Sequence, residues 1–295
     1  MRITETLKMS ELTSANAKSA ASLHDATKKA ATGLRVAAPA DDPAAFARAT
    51  RQTSGIATYE SRMKAVLRSG DDIALAEGAL ASATDVMARA KELAVQMADG
   101  TMSADDRANA AKEVTALRQS LIGIANTRSA SGYVFAGTST ATQPFQQNGT
   151  FSGNDEPIAV EVAEGAQMRA NASGARAFTA AGGRDVLADL EDLATALTTN
   201  DTVGIQAAIG EITQGHAQIV GVRSETGLTM DRLRASASAA TLGRDALIEA
   251  RANTREVDAT DAYMQLTSAQ GAYERSLEIT RRVLGIMGAD KVLAR

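Results

Sequence analysis

The sequence predicts a mainly α-helical fold: a long antiparallel helical rod or coiled coil, helical at both termini, with a small inserted β-rich domain. All four prolines lie at positions 39, 43, 144 and 157, so two stretches, 44–143 and 158–295, contain no helix-breaking proline. Apolar residues in these stretches recur three and four positions apart, which places them on one face of a helix. The chain is 44% hydrophobic but only 3% aromatic, and small apolar side chains let helices approach closely.

The most regular stripe predicts one long helix in the first stretch. It consists of Ile73, Ala76, Leu80, Ala83, Met87, Ala90, Ala94 and Met97. We expect this helix to begin at Asp42-Pro43, where an acidic cap precedes a proline at the first helical position, and to end near Ala98 with a shift of register near Gly70. Ser103 and Asp106 form a capping-box pattern that predicts a second helix ending near Asn126.

The amino-acid composition changes between residues 133 and 178, where five of the nine aromatic residues lie. Ile158, Val160 and Val162 alternate with less bulky or charged residues, the period-two pattern of a strand. Beyond this region, Asp185 predicts the cap of a helix with a leucine stripe. That stripe comprises Leu187, Leu190, Leu193 and Leu197, and a further long helix is predicted from the spacing of Ile205, Ile209, Ile212, His216, Ile219, Thr226, Met230, Leu233, Ala237, Ala240 and Leu247.

The two ends of the chain are predicted to be helices that need partners. The C-terminal stripe is Ala262, Leu266, Ala269, Tyr273, Ser276, Thr280, Val283 and Met287, and Tyr263, Leu277 and Leu284 widen it. The N-terminal helix has few large aliphatic residues, and helices of this kind gain their stability by burying a stripe against a neighbour. We therefore hypothesise an assembly or chaperone interface made of Ile3, Leu7, Leu12, Leu266, Tyr273, Leu277, Val283, Leu284 and Met287.

Composition argues against several classes of function. The net charge is −4 without a dense basic block, so nucleic acid is not expected as a partner. No cysteine and only two histidines are present, which excludes disulfides and thiolate metal sites and leaves too few ligands for a histidine centre. The Asp pairs at 41–42, 71–72 and 105–106 are interpreted as helix caps. We expect no enzyme activity and no cofactor, because no catalytic or nucleotide-binding motif occurs.

No segment has the length and hydropathy of a membrane span or of the apolar part of a cleaved secretion signal. We therefore expect no membrane partner. If the protein leaves the cell, we expect export without a cleaved signal peptide.

Four stretches of the chain are similar to the flagellin superfamily of bacterial flagellar axial proteins. They are TGLRVAAPADDPAAFAR at 32–48, GDDIALAEGAL at 70–80, ARAKELAVQMADGTMSADDR at 88–107 and LGIMGADKVLAR at 284–295. Within the superfamily, GYVFAGTSTATQPF at 132–145 resembles the hook–filament junction family, hook-associated protein 3. Pro43 and the opening MRIT favour that family over flagellin itself.

The resemblance implies a domain organisation and a set of partners. Residues 1–43 with 256–295 would form a terminal coiled-coil assembly region, 44–137 with 183–255 a helical rod, and 138–182 the small β-rich domain. The implied function is that of a structural adaptor that joins hook to filament. The implied partners are other copies in a ring, a neighbouring hook-associated protein, flagellin and a cytoplasmic export chaperone. The implied location is the extracellular flagellum, reached by type III export.

Two alternatives of function stay open at this point. The chain could be a flagellin, the filament subunit itself. A cytoplasmic signalling coiled coil would share the heptad spacing, although it should lack the β-rich region and would commonly be joined to a membrane anchor. An enzyme ranks third, and a cluster of titratable groups in a cleft would be needed to favour it.

Overall fold

The structure is a computed structural model that describes the backbone of residues 2–293 and the side chains of residues 6–286. Its elements are α1 (Arg2–Thr32), α2 (Pro43–Met97), α3 (Ala104–Ala125), β1 (Arg128–Ser129), β2 (Gly132–Tyr133), β3 (Ala159–Ala163), β4 (Ala166–Arg169), α4 (Gly174–Phe178), α5 (Val186–Thr198), α6 (Thr202–Arg255) and α7 (Ala259–Leu293). A short 3₁₀ turn, Ala180–Gly182, follows α4. The predicted fold class, mainly α with a small β-rich part, is confirmed.

The described chain divides into two compact units. The terminal unit comprises Met1–Thr58 and Gly243–Arg295, and the central unit comprises Tyr59–Leu242. Both β-hairpins are antiparallel and belong to the central unit: Arg128 pairs with Tyr133 in the first, and Val160 pairs with Met168 in the second. The three domain ranges expected from the sequence stay predictions.

Helix starts follow the predicted capping residues. The Ala45 amide donates to Asp42 Oδ1 over 2.9 Å at the start of α2. Ser103 and Asp106 form a reciprocal capping box on α3, and Asp185 accepts from two backbone amides at the start of α5. These bonds satisfy N–H groups that have no partner inside the helix, which explains why each helix begins where it does.

The predicted register shift near Gly70 occurs within a continuous helix. The inward-facing positions of α2 step from Gly70 to Ile73 to Ala76, two successive three-residue steps, before the alternation of four and three resumes. Such a step shifts the apolar stripe around the helix without breaking its backbone. One interpretation from the sequence is wrong here: Asp71 and Asp72 lie inside α2 and cap no helix start, because the helix continues through them.

The core of the central unit is built on the predicted stripes. Every member of the α2 stripe from Ile73 to Met97 is buried, as are the four leucines of α5. Three aromatic side chains join this core: Phe135, Phe145 and Phe178 are fully buried. Phe178 contacts both other rings edge to face, with centroids 5.4 Å from Phe135 and 5.5 Å from Phe145. The segment 138–182 therefore contributes two of its phenylalanines to the same core as the helices.

The second hairpin packs elsewhere in the central unit. Val160 and Ala170 belong to a smaller cluster with Val66, Ile73 and Leu233, so β3 and β4 cover the α2–α6 seam next to the register shift. Ile158, expected on the buried face with Val160, lies before the strand and is exposed. The strand alternation is thus confirmed for Val160, and for the half-buried Val162, but not for Ile158.

Candidate assembly surface of the terminal helices

The terminal helices α1 and α7 pack on each other in antiparallel orientation. Asn16 Nδ2 donates to Thr280 Oγ1 over 2.9 Å, and Ser276 Oγ donates to Asn16 Oδ1. Further along α1, residues 21–29 lie across a groove from residues 264–272. Increasing residue number on α1 therefore corresponds to decreasing number on α7.

The α7 stripe predicted from the sequence faces α1. Ala262 and Ala269 are buried, and the remaining described members are half-buried, namely Leu266, Tyr273, Ser276, Thr280 and Val283. The matching face of α1 steps by four and three through Leu12, Asn16, Ser19, Leu23, Ala26 and Ala30, all half-buried or buried. This face was not predicted from the sequence, because only two of its members are large and apolar. Heptad spacing of small and polar residues is the signal that could have revealed it.

Asn16 defines the register of this pair. A polar side chain buried between two helices destabilises the pair if it has no hydrogen-bond partner. If α1 slid along α7, the Asn16 amide would lose both of its hydrogen bonds. Ser276 and Thr280 are one turn apart on α7 and engage the oxygen and the nitrogen of that amide, respectively. The contact thus fixes one alignment of two helices whose apolar contacts are otherwise small.

Seven of the nine interface residues hypothesised from the sequence have described side chains, and these seven differ in exposure. Leu12, Leu266, Tyr273, Leu277 and Val283 are half-buried, whereas Leu7 and Leu284 are exposed. The side chains of Ile3 and Met287 lie outside the described residues. The buried parts of the half-buried residues hold the pair together, whereas Leu7, Leu284 and the exposed part of Leu277 are accessible to another molecule.

The exposed apolar side chains of the pair form the candidate assembly surface. Its members, between 41% and 65% exposed, are Leu7, Met9, Tyr263, Met264, Ile279, Leu284 and Ile286. Leu7 and Leu284 belong to the interface hypothesised from the sequence. Met9, Met264, Ile279 and Ile286 do not, because a face with interspersed arginine and glutamate has no clear apolar period. These side chains lie along more than one side of the helix pair, and each leaves apolar area that another chain can bury.

A short elbow joins each terminal helix to its neighbour in the terminal unit. The Arg35 amide donates to the Arg255 carbonyl over 2.7 Å, and the Val257 amide donates to the Gly33 carbonyl over 3.0 Å. Arg255 Nε donates to the Val36 carbonyl, and Val36 is fully buried. Gly33, at φ +67°, allows α1 to end there. The end of α1 and the start of α7 are therefore fixed side by side.

Two carboxylates stabilise the segment of the elbow that connects α1 to α2. Asp41 Oδ2 accepts from the Ala38 and Ala37 amides, each over 2.8 Å, and these bonds lower the pKa of Asp41. The bond from the Ala45 amide lowers the pKa of Asp42 in the same way. Because the pKa of each group is lower in the folded state, its contribution is present above the ordinary value of 3.8 and is lost as pH falls through the folded value.

We expect acid to open the elbow, and Asp41→Asn to weaken it at neutral pH. Hydrogen exchange of the Ala37 and Ala38 amides measures this, because protonation of Asp41 removes the negative charge that makes its carboxylate a strong acceptor for both amides. Protection should be constant above about pH 5 and fall below about pH 4 in the wild type. Asp261→Asn, an exposed change on α7, serves as the control. Unchanged protection of Ala37 and Ala38 in Asp41→Asn would contradict the assignment.

Other chemistry has little support in the described part of the chain. Among those residues, no three His, Cys, Asp or Glu side chains are grouped so that they could hold a metal ion. His24 is exposed and His216 is half-buried on α6. No helix within residues 2–293 has the length and apolar character needed to cross a membrane.

Comparison with known proteins shows a similarity to bacterial flagellar proteins. Residues 3–140 match the bacterial flagellin N-terminal helical region. This match covers just under half of the chain and shows a similarity to bacterial flagellins in that part. The chain is 34% identical over 149 residues to flagellar hook-associated protein 3 of Escherichia coli, which covers 50% of this chain and 47% of that protein. The chain thus spans about half the length of the curated relatives it matches. B-type flagellin of Pseudomonas aeruginosa is 32% identical over 127 residues, or 42% of this chain and 25% of that protein.

Solved structures of flagellar hook-associated proteins share the fold of this chain. A flagellar hook-associated protein from Vibrio parahaemolyticus aligns with a TM-score of 0.66 at 21% identity, covering 73% of this chain and 100% of that one. FlgL of Bacillus cereus aligns with a TM-score of 0.57 at 19% identity, covering 68% of this chain and 99% of that one. At these identities the likeness concerns the fold alone.

Proposed function

We propose that this chain is a structural adaptor that joins the flagellar hook to the filament. The observation that carries the proposal is the antiparallel α1–α7 pair with its exposed apolar surface, in a chain similar to hook-associated protein 3. An exposed surface of this kind costs solubility in a lone molecule and gains free energy only when other chains cover it. Assembly into a larger structure is the function that uses it.

The mechanism follows from the division of the chain into two units. The terminal helices insert among those of neighbouring copies and bury the candidate assembly surface. The central unit, with its own fully buried core, keeps its fold before and after assembly. Copies of the chain form a ring whose other contacts are a hook-associated protein on one side and flagellin on the other.

Export and protection of the terminal helices complete the proposal. The exposed apolar side chains of α7 would be covered by a cytoplasmic export chaperone before assembly, since uncovered surfaces of this kind aggregate. The chain would leave the cell through the flagellar type III apparatus without a cleaved signal peptide, and act in the extracellular flagellum. The adaptor role requires no catalysis and no cofactor.

Gene deletion and complementation test the adaptor role. A strain that lacks the gene should make hooks without filaments and should release filament protein into the medium. Restoring the wild-type gene should restore attached filaments, seen by electron microscopy, and swimming. A deletion strain with normal attached filaments would exclude the proposal.

Flagellin is the second candidate, because the chain is also similar to B-type flagellin over 127 residues. The two functions differ in self-assembly. A flagellin should polymerise into long filaments from purified protein when seeded with filament fragments, whereas an adaptor should stop at rings or short oligomers. Sedimentation and electron microscopy of the seeded protein distinguish them, and long filaments would favour flagellin.

A further inference from the structure

A groove on one flank of the terminal helix pair has no filling side chain of its own. It has a volume of about 730 Å³ and lies between α1 residues 21–29 and α7 residues 264–272. Alanine and serine line most of its floor, with Ala21, Ala26 and Ala272 among them, and the charged side chains of Asp25 and Lys29 line its α1 side. In the terminal unit, two helices with side chains this small leave room between them for a third element.

The opposite flank of the same pair carries protruding side chains. Arg281 follows Ala272 by nine residues, so at about 100° per residue it projects from the other side of α7. Leu277 and Leu284 lie on the same flank one turn to either side of Arg281, and Leu284 is 43% exposed. One flank is therefore a groove and the other is a ridge, which is the arrangement that lets identical copies contact each other head to tail.

Four charged groups determine which orientation of two copies is favourable. In the part of the chain whose side chains are described, Asp25, Lys29, Glu274 and Arg281 have no ion-pair partner. Along α1 the acidic Asp25 precedes the basic Lys29, and along α7 the acidic Glu274 likewise precedes the basic Arg281. Because α1 and α7 are antiparallel, a second copy in the same direction brings Arg281 to Asp25 and Glu274 to Lys29. A copy in the reverse direction would bring like charges together.

We propose that the α1–α7 groove of one copy receives the ridge at Leu277–Leu284 of a second copy in parallel orientation. The proposal rests on the adaptor function and specifies the partner and register of its terminal helices. Leu277 and Leu284 fill the space above the small side chains, and the two ion pairs flank them. Asp25 and Lys29, four residues apart, are separated by about 6 Å along the helix, and Glu274 and Arg281, seven residues apart, by about 10 Å. The long side chains of Lys29 and Arg281 reach far enough to form both ion pairs despite this difference of about 4 Å.

The register gives a defined displacement between copies. Since Asn16 lies opposite residues 276–280, α1 residues 25–29 lie opposite about residue 267 of their own α7. The ridge of the second copy is centred about ten residues further along, so neighbouring copies are displaced by about 16 Å along the helix axis. Contacts of this type close into a ring or continue as a helix, in contrast to a twofold dimer.

Disulfide trapping tests the register, since the chain contains no cysteine. Asp25→Cys with Arg281→Cys is expressed in the deletion strain, and purified flagella are oxidised and separated under non-reducing conditions. Within one copy these positions lie about 18 Å apart along the pair, and a disulfide needs Cα atoms within about 7 Å. Any bond is therefore between copies. We expect most of the protein to shift to two-chain and larger species that a reductant reverses.

Matched variants make the result decisive. Asp25→Cys with Glu274→Cys, which would be bridged only in the reverse orientation, should stay as single chains; its cross-linking would overturn the proposal. Asp25→Arg and Arg281→Asp should each reduce attached filaments, and the double variant should restore them. If the cysteine pair attaches filaments but never cross-links, the register is wrong while the adaptor function stands. If the wild-type gene fails to restore attachment, the adaptor function itself fails.

Discussion

Phe178→Ala should lower the free energy of unfolding of the central unit by about 3 to 5 kcal/mol, the usual cost of removing a fully buried phenylalanine. The ring is fully buried and contacts both Phe135 and Phe145. Its loss removes two edge-to-face contacts and leaves a cavity in the core shared by the helices and the segment 138–182. Denaturant unfolding followed by circular dichroism measures the change through the transition midpoint.

Phe151→Ala is the matched control for this prediction. Phe151 contacts Phe145 with ring centroids 4.9 Å apart but is only half-buried, so its removal should cost clearly less than that of Phe178. If both variants lose the same small amount, the aromatic cluster does not belong to the main core. A large loss for Phe178 alone supports the view that the β-rich segment and the helices unfold together.

We expect Leu284→Asp to abolish filament attachment while leaving the stability of the isolated protein within about 1 kcal/mol of the wild type. Leu284 is 43% exposed in the single chain, so a carboxylate there stays hydrated and should cost less than about 1 kcal/mol of stability. In the assembled state the carboxylate would be buried against a neighbour without a partner, which is strongly unfavourable. Complementation of the deletion strain measures attachment, and thermal unfolding of the purified chain measures stability.

Leu228→Asp provides the control for exposure. Leu228 lies on α6 in the central unit and is 58% exposed, so the same substitution should leave attachment intact. A melting temperature lowered by many degrees in Leu284→Asp would show that Leu284 supports the single chain instead. By contrast, Leu266→Asp should destabilise the terminal pair itself, since Leu266 is half-buried at the α1–α7 seam.

Much of the fold was predictable because its causes are local. Helix starts depend on residues within one turn, which is why Asp42, Asp185 and the Ser103–Asp106 pair were identified from the sequence alone. The α2 stripe was predictable because helical period alone decides which residues share a face. The same rule failed on α1, where alanine, serine and asparagine take the seam positions and produce no apolar period.

The candidate assembly surface was predictable only in part. The sequence indicates which side chains of α7 are apolar, but exposure depends on where the partner helix lies. Leu266 and Tyr273 became seam residues once α1 covered them, whereas Ile279 and Ile286 stayed exposed. The regularly spaced apolar stripe of α7 therefore packs on α1 within the same chain, whereas the irregularly spaced apolar residues stay accessible to other molecules.

By itself the sequence determined the helices, their caps, the apolar stripe of α2 and the similarity to flagellar proteins. Only the tertiary structure decided what distant residues do together. Arg107 is buried. Its guanidinium donates hydrogen bonds to the Met97 and Asp99 carbonyls and to the Asn200 side-chain oxygen. Asn16 meets Ser276 and Thr280 across more than 250 residues of chain. Spacing within a helix is a local property of the chain, whereas such contacts depend on how separate helices pack, and no local pattern encodes that packing.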